Sequence, residues 1–513
     1  MIPTTGCAKP HVVFRLDANA RIGGGHAMRC RALADTLVNA GARISLAADA
    51  DTFACADFMR PGMESLQLDV ADGAAEIAQM RARWPAGCDW LVLDHYGRGR
   101  DFEQAAAGWA RQRLVVDDLC ARDHDCEIIC DQTPGRRARD YLPWASAPTK
   151  VLAGARYALL RESIVAARRR PGHDASVRRQ GPPRIVVSYG LTDIRGLAMT
   201  TLDGLAAAGF AGRVDVLIGR GAETLPDLQT RVAATELDVH LAIDSPRYAE
   251  LVAAADIALS AAGVSCLELC CLGVPMLLAV VADNQQANAE GLVAAGAARS
   301  LGGWQDISSA GIAAAVTSLL ADADARRLMA DSGLNLVDGR GAARVAMAMM
   351  PARSSDGAEV LLRPALTDDV ELVYRWQCHP ETRRYARNPA VPTLSEHVAW
   401  MTRRLAMPHC LFSIVTCAGR PAGLVRLDGL PGAEGAPEQF EISILVAPDH
   451  YRRGIGRAAL ELARRLVPDA DIHADVLDEN VASHRLFQSA GYAPAEGARG
   501  YVQRAEGGAV SAP

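Results

Sequence analysis

Short apolar runs alternate with segments of helical period along most of the chain. "HVVFRLDA", "ISLAAD", "WLVLDHYG", "RLVVDDL" and "EIICDQT" are separated by stretches such as "HAMRCRALADTLVNAG" and "AAEIAQMRARW". A run apolar throughout suits a strand buried on both faces, and the helical stretch between two such runs is the crossover, so the pattern predicts βαβ units and a parallel sheet. A polar, basic stretch, "AARRRPGHDASVRRQGPPR", interrupts the alternation, which then resumes through "IVVSYG", "VDVLIG", "VHLAI", "DIALSAA" and "PMLLAVV". Two doubly wound domains are therefore expected, over residues 1–178 and 179–350. "MAMMPARSSDGAEV" reads as a Pro/Ser/Gly linker over 351–358, and a third domain, 359–513, runs from "LLRPALTDDVELVYRW" through "NVASHRLFQSAGY" to the end.

Composition narrows the partners. A chain of 513 residues exceeds one ordinary core, and half of it is hydrophobic with few aromatics, as in small-residue packing of helices on parallel sheets. The formal net charge of -6 comes without long single-sign blocks, so no nucleic-acid partner is expected. "MIPTTGCAKPHVVF" lacks a charged-then-apolar leader pattern, and the most apolar stretch, "LELCCLGVPMLLAVVA", carries Glu268 and a Gly-Val-Pro break. The expectation is a cytoplasmic protein with no membrane insertion. Thirteen cysteines without Cys-x-x-Cys pairs or regular His/Cys spacing point to reduced thiols, with no metal site expected.

The candidate chemistry lies at strand-to-helix turns. In "FRLDANARIGGGHAMRC" the glycines run into His26 at the start of a helix, where free N–H groups point into the loop. The turn either caps the helix or receives an anion. Arg15, Asp17, Gly25 and Arg29 gather at the same sheet edge, which is where open α/β sheets bind ligands, and the loop spells no G-x-G-x-x-G, which disfavours a nicotinamide cofactor. "LVLDHYG" brings Asp94, His95 and Tyr96 to that edge, Tyr96 being either a lid residue or a sugar-orienting one. In "VVSYGLTD" the turn holds Gly190, Thr192 and Asp193, a geometry for cradling phosphate. "SAAGVSCLE" holds Gly263, Ser265 and Glu268, which form either a capping box or a carboxylate that chelates ribose hydroxyls; Asn284 and Gln285 of "ADNQ" face the same crevice. Farther on, the apolar strand "ISILV" precedes Arg452, Arg453, Gly454, Ile455, Gly456 and Arg457 and then a helix, so successive N–H groups converge on a pyrophosphate.

The runs quoted from the first two domains resemble the UDP-sugar hydrolases of pseudaminic acid synthesis, which release 2,4-diacetamido-2,4,6-trideoxy-L-altrose from its UDP carrier. The resemblance implies two Rossmann-like domains in the GT-B arrangement. It also implies a catalytic His26 that activates or orients water, with Asp17 and Tyr96 beside it and Tyr96 positioning the sugar. UDP-sugar binding falls to Gly25, Arg29, Gly190, Thr192, Asp193, Gly263, Ser265, Glu268, Asn284 and Gln285, with Glu268 on the uridine ribose. Tyr189 stands where that family usually has glycine. The last segment resembles the GNAT acyltransferases, an α/β domain with a mixed, mostly antiparallel sheet and acetyl-CoA as co-substrate. Val446, the loop residues 452–457, Asn480 and Ser483 would bind acetyl-CoA, and Glu441 would deprotonate an amine. Tyr451 opens the loop where Gln or Arg is usual. Phe487 replaces the usual thiolate-protonating tyrosine, leaving Tyr492, Tyr501 or water. Together these imply N-acetylation of a UDP-4-amino-sugar followed by release of UDP. The alternatives are a GT-B glycosyltransferase fused to an acyltransferase, or a non-catalytic UDP-sugar module serving the acyltransferase.

Overall fold

A computed structural model describes residues 9–18, 24–55, 58–70, 72–169, 181–431, 437–495 and 499–505. Arg21, Ile22 and Gly23 of the first glycine loop, and the expected boundary at 178/179, lie outside the described residues. The chain divides into two compact units, 1–342 and 343–513.

The first unit holds two parallel sheets. Strands β1 (His11–Leu16), β2 (Arg43–Ala48), β3 (Glu64–Gln67), β4 (Cys88–Asp94), β5 (Ala110–Val116), β6 (Ile128–Asp131) and β7 (Lys150–Ala153) are ordered β3-β2-β1-β4-β5-β6-β7. Strands β8 (Arg184–Ser188), β9 (Arg213–Ile218), β10 (Asp238–Ile243), β11 (Ile257–Ala261), β12 (Met276–Val280) and β13 (Ala298–Gly303) follow as β10-β9-β8-β11-β12-β13. All the registered pairs in both sheets are parallel, and β1 and β11 are buried along their whole length, as continuous apolar runs require. In each sheet the strand order reverses once, between β1 and β4 and between β8 and β11, and there the connections leave on opposite faces and open a crevice. The two halves touch backbone to backbone where a Cβ on Gly291 would lie 2.1 Å from the Pro134 carbonyl oxygen.

The second unit is a mixed sheet of β14 (Ala352–Arg353), β15 (Glu359–Pro364), β16 (Cys410–Cys417), β17 (Arg420–Leu430), β18 (Gln439–Val446), β19 (Asp471–Ala474), β20 (Ala493–Pro494) and β21 (Tyr501–Gln503), ordered β14-β15-β16-β17-β18-β19-β21-β20. Only β18 and β19 pair in parallel. Helix Ile455–Leu466 is strongly amphipathic and packs Ile455, Ala459, Leu462 and Leu466 into the core on one face.

Residues 351–358 do not form the expected linker. Ala352 and Arg353 pair with Val360 and Glu359 as an edge hairpin, closed by Gly357 at φ 83° and by Ser354 N–H donating to Ala358 O at 3.0 Å. The same Ser-Asp-Gly chemistry that reads as a flexible joint makes a tight turn here. Met347 and Ala352 lie in this unit's core. Among the described residues no helix is long and apolar enough to cross a membrane.

A fragment starting at residue 343 should therefore be more stable than one starting at 359, which loses both core side chains and the edge strand. The apolar burial lost is worth about 3 kcal/mol, and the melting temperature should drop by about 6–12 °C. Circular dichroism melts of the two fragments check this, and equal midpoints would refute it.

Candidate functional site

In the first unit the order reversal brings the ends of β1 and β4 together, Leu16 registering with Asp94. Helix Gly25–Asn39 starts there with neither a side-chain cap nor an acid in its first turn among the described residues, and its first turn lies against Val264 of the second sheet's half, so its positive dipole end lies at the crevice. His26 in that turn is buried, with Nδ1 3.0 Å from Asp94 Oδ1 and 3.4 Å from the Asp94 carbonyl. Both neighbours are acceptors, so Nδ1 carries a proton and donates to them. Burial alone would raise the Asp94 carboxyl, but Arg29 and His26 outweigh it and hold the group well below the usual carboxylate range.

Tyr96 packs edge-on against His26, ring centroids 4.8 Å apart. Its hydroxyl donates to Asp118 at 3.1 Å and accepts from Asn284 Nδ2 at 2.9 Å, which joins the two halves across the crevice. Burial, then the Asp118 charge, push its phenol up, so it stays protonated. His95, pushed down to about 3 by burial and then by Arg15 and Arg98, is neutral. Asp17 faces His95 at 3.7 Å, so the carboxylate on His26 is Asp94 and not Asp17.

Arg29 corrects its expected role. Its side chain is 1 % exposed, with Nε and Nη2 on the two Asp94 oxygens at 2.7 and 2.6 Å and Nη1 on Asp118 at 2.8 Å. All three guanidinium nitrogens are taken up by the two carboxylates. Arg15 is likewise consumed, bidentate to Glu76 at 2.9 Å. Asp118 is a site residue that the sequence reading missed. In "VVDDL" Asp117 turns inward to accept from Tyr141, Arg122 and the Cys120 N–H, while Asp118 turns to Arg29 and Tyr96. The signal available was two acids at a strand end on the same edge as His26.

In the second sheet Glu268 is bidentate to Arg161, 2.8 Å on both oxygens, and Arg161 stacks on Tyr248 at 4.3 Å. The capping box does not form: helix Ser265–Cys271 has Val264 at its N-cap with no side-chain bond, and Ser265 hydrogen-bonds Tyr248. Asp193 also departs from expectation. At φ 41° it folds back to accept from Leu197 and Ala198 N–H at 3.0 and 3.3 Å, and burial raises its carboxyl to about 6. That carboxylate occupies the N-terminal N–H groups of helix Leu197–Ala207. Gly190, at φ 92°, is exposed beside the half-buried Thr192 and makes the turn. Tyr189 fits in place of glycine because its ring turns into the core and its hydroxyl meets Thr201 at 2.9 Å. Gln285 accepts from Val281 N–H at 3.2 Å and passes 3.7 Å from where a Gly263 Cβ would stand. A Cβ on Gly25 would lie 3.7 Å from Val264, so the His26 turn and the Gly263 turn line the same crevice.

In the second unit Arg452 and Gly454 take left-handed angles, φ 62° and 71°, and lead into helix Ile455–Leu466, which starts without a side-chain cap or an acid in its first turn. Arg452 and Arg457 are exposed beside this N-terminus. The Arg453 guanidinium is tied to Asp356 at 2.7 and 3.0 Å and to His450 at 3.1 Å. Gly454 is required because a Cβ there would stand 2.9 Å from Ser355 N, while one on Gly456 would meet Leu486 at 3.2 Å and Val446 at 3.6 Å. Asn480 accepts from Ser483 N–H at 3.0 Å and so caps helix Val481–Ser489, which gives both residues a structural role. Among the described residues β18 has no strand partner on the β19 side beyond Glu441, leaving Ile442–Val446 an open edge. Phe487 lies in the core between Tyr492 and Tyr501. The Tyr501 hydroxyl meets His484 Nδ1 at 2.9 Å and Gln488 at 3.1 Å, whereas the buried Tyr492 hydroxyl has no partner among the described residues. No group of three or more His, Cys, Asp or Glu among the described residues is arranged to hold a metal ion.

Comparison with known proteins gives matches to each part. Residues 193–337 match the glycosyltransferase family 28 C-terminal domain, and residues 359–493 match the acetyltransferase (GNAT) domain. The UDP-N-acetylglucosamine--N-acetylmuramyl-(pentapeptide) pyrophosphoryl-undecaprenol N-acetylglucosamine transferase of Halorhodospira halophila (strain DSM 244 / SL1) is 34% identical over 167 residues, 30% of this chain. The chain spans 44% of that relative's length. Similar solved structures include MurG of Acinetobacter baumannii, with TM-score 0.48 and 15% identity over 66% of this chain and 99% of that one. AAC(6')-Ib with ribostamycin and coenzyme A has TM-score 0.26 and 19% identity over 28% and 93%. The chain thus joins a glycosyltransferase family 28 C-terminal-like domain to a GNAT acetyltransferase domain.

Proposed function

We propose that the first unit hydrolyses a UDP-sugar and that the GNAT domain N-acetylates a UDP-4-amino-sugar with acetyl-CoA, consecutive steps of pseudaminic acid synthesis. The observation that carries the hydrolase is the His26–Asp94 pair, Nδ1 to Oδ1 3.0 Å, at an uncapped helix start in the crevice. Nε2 of His26 takes a proton from water as the water oxygen attacks the anomeric carbon, the bond to the diphosphate breaks, and UDP leaves with the electron pair. Asp94 stabilises the imidazolium that forms, and the protonated Tyr96 hydroxyl, held between Asp118 and Asn284, bears on the sugar. UDP is a good leaving group, so placing the water and stabilising charge matter more than a strong acid. Glu268, fixed by Arg161, accepts from the ribose hydroxyls. In the GNAT domain the uncapped start of helix Ile455–Leu466 receives the coenzyme pyrophosphate, and the open edge of β18 leads its thioester toward Glu441.

A second reading, glycosyl transfer to a sugar or lipid acceptor, is favoured by the family 28 match over residues 193–337. Incubation with a UDP-diacetamido-sugar in 18O-labelled water separates the two. Label in the free sugar with UDP rising over time supports hydrolysis, while release of UDP only when an acceptor is added supports transfer.

His26→Ala should slow UDP release about 100- to 10,000-fold, the span of general-base catalysis, while acetyl transfer persists. Asp94→Asn, which removes the charge partner of both His26 and Arg29, should also slow release; undiminished turnover in either variant contradicts the assignment. Glu268→Gln should weaken UDP binding by about 1.5–3 kcal/mol, as for hydrogen bonds to charged groups. Calorimetric titration measures it, and unchanged affinity would remove Glu268 from the nucleotide site.

A further inference from the structure

On the sheet face opposite the helix Ile455–Leu466 core, strand register sets Asp428, Glu441 and His473 side by side on β17, β18 and β19. Ile472 and Ala474 point to the core, so His473 and Asp475 share the Glu441 face. Over this row lies Arg387, whose Nη2 is 2.5 Å from Glu441 Oε1 and 3.0 Å from Asp475 Oδ2. One cationic nitrogen thus sits between two carboxylates from different elements. The carboxylates are 26% and 27% exposed, and the arginine that covers them is 62% exposed. Asp475 has a second counterion in Arg499, at 2.8 and 3.0 Å, and Arg499 acts with Arg387 to hold its carboxyl below the usual range. Asp475 therefore stays charged if Arg387 leaves.

We propose that the space filled by Arg387 Nη2 is the amine subsite of the acyl-transfer reaction, with Asp475 as its second carboxylate, and that the acceptor's primary ammonium enters by displacing Arg387. The inference rests on the acetyltransferase reading above. A neutral hydroxyl cannot replace a cation between two carboxylates, so the subsite selects amines over alcohols. The ammonium passes one proton to Glu441, and the freed lone pair forms the C–N bond to the thioester carbonyl carbon. The C–S bond breaks, and the thiolate leaves with the electron pair. The second proton lost from nitrogen neutralises the thiolate, and Glu441 returns its proton to water. Arg387 is then a built-in competitor that keeps the base covered until an amine arrives.

Removing the competitor tests this in the full chain. Arg387→Ala should lower KM for the UDP-4-amino-sugar about 2- to 5-fold, the worth of a largely exposed ion pair, and added guanidinium ion should restore the wild-type KM in that variant only. Asp475→Asn should raise KM for the amine. An unchanged or higher KM in Arg387→Ala, or an unchanged KM in Asp475→Asn, overturns the proposal. Saturation-transfer NMR with 13C-methylammonium reads the subsite without turnover, and tighter binding to Arg387→Ala than to wild type is expected. A wild-type protein that acetylates no amine, yet whose Arg387→Ala variant binds methylammonium more tightly, would refute the acceptor assigned above and leave the subsite standing. Equal methylammonium binding by both proteins overturns the subsite itself.

Discussion

The crevice of the first unit depends on one buried guanidinium. Arg29 spans Asp94 and Asp118, and those carboxylates in turn hold His26 and Tyr96. A buried charge is tolerated only when its donors are matched, and here three guanidinium nitrogens meet carboxylate oxygens with no water between. The orientation of two groups on different strand-to-helix turns thereby reduces to the placement of a single side chain one turn into a helix. Lysine in its place has one nitrogen and cannot hold both carboxylates in a plane.

Helix N-termini in the molecule divide into those that are filled and those left open. Asp193 closes the helix it precedes, and Asn480 closes another. The helices beginning at Gly25 and Ile455 have no side-chain cap. Both follow glycine-bearing turns at sheet edges, and helix Ser265–Cys271 also starts without a side-chain cap, so an open N-terminus recurs at more than one of this fold's strand-to-helix turns.

Most of the architecture was legible because it rests on local pattern: buried parallel strands read as apolar runs, and glycine before a helix reads as a turn. The site was legible in outline only. His26, Tyr96 and Asn284 converge as their turns suggested, since a strand order that reverses once brings those turns together whatever the side chains are. Partner choice was not legible. Arg29 and Arg453 look like phosphate ligands in sequence, but long-range carboxylates, Asp118 and Asp356, claim them from positions 89 and 97 residues away. Glu268 has capping-box spacing, yet Arg161, 107 residues distant, provides the stronger charge-assisted pairing. The 351–358 segment failed as a linker for a related reason, because turn-forming residues describe local bending and not whether the bend is paired to a sheet.

The approach of Gly291 to Pro134 has a mechanical meaning. Because a Cβ there would stand 2.1 Å from a carbonyl oxygen, the two halves of the first unit meet at this point through the backbone of Gly291 and Pro134, with no rotamer to yield between them. Such a contact works as a rigid stop at that point and limits how near the sheets come. A single methyl group at residue 291 would act as a shim, and the Asn284–Tyr96 hydrogen bond of 2.9 Å, the polar clasp between the same two halves, has no slack with which to follow it.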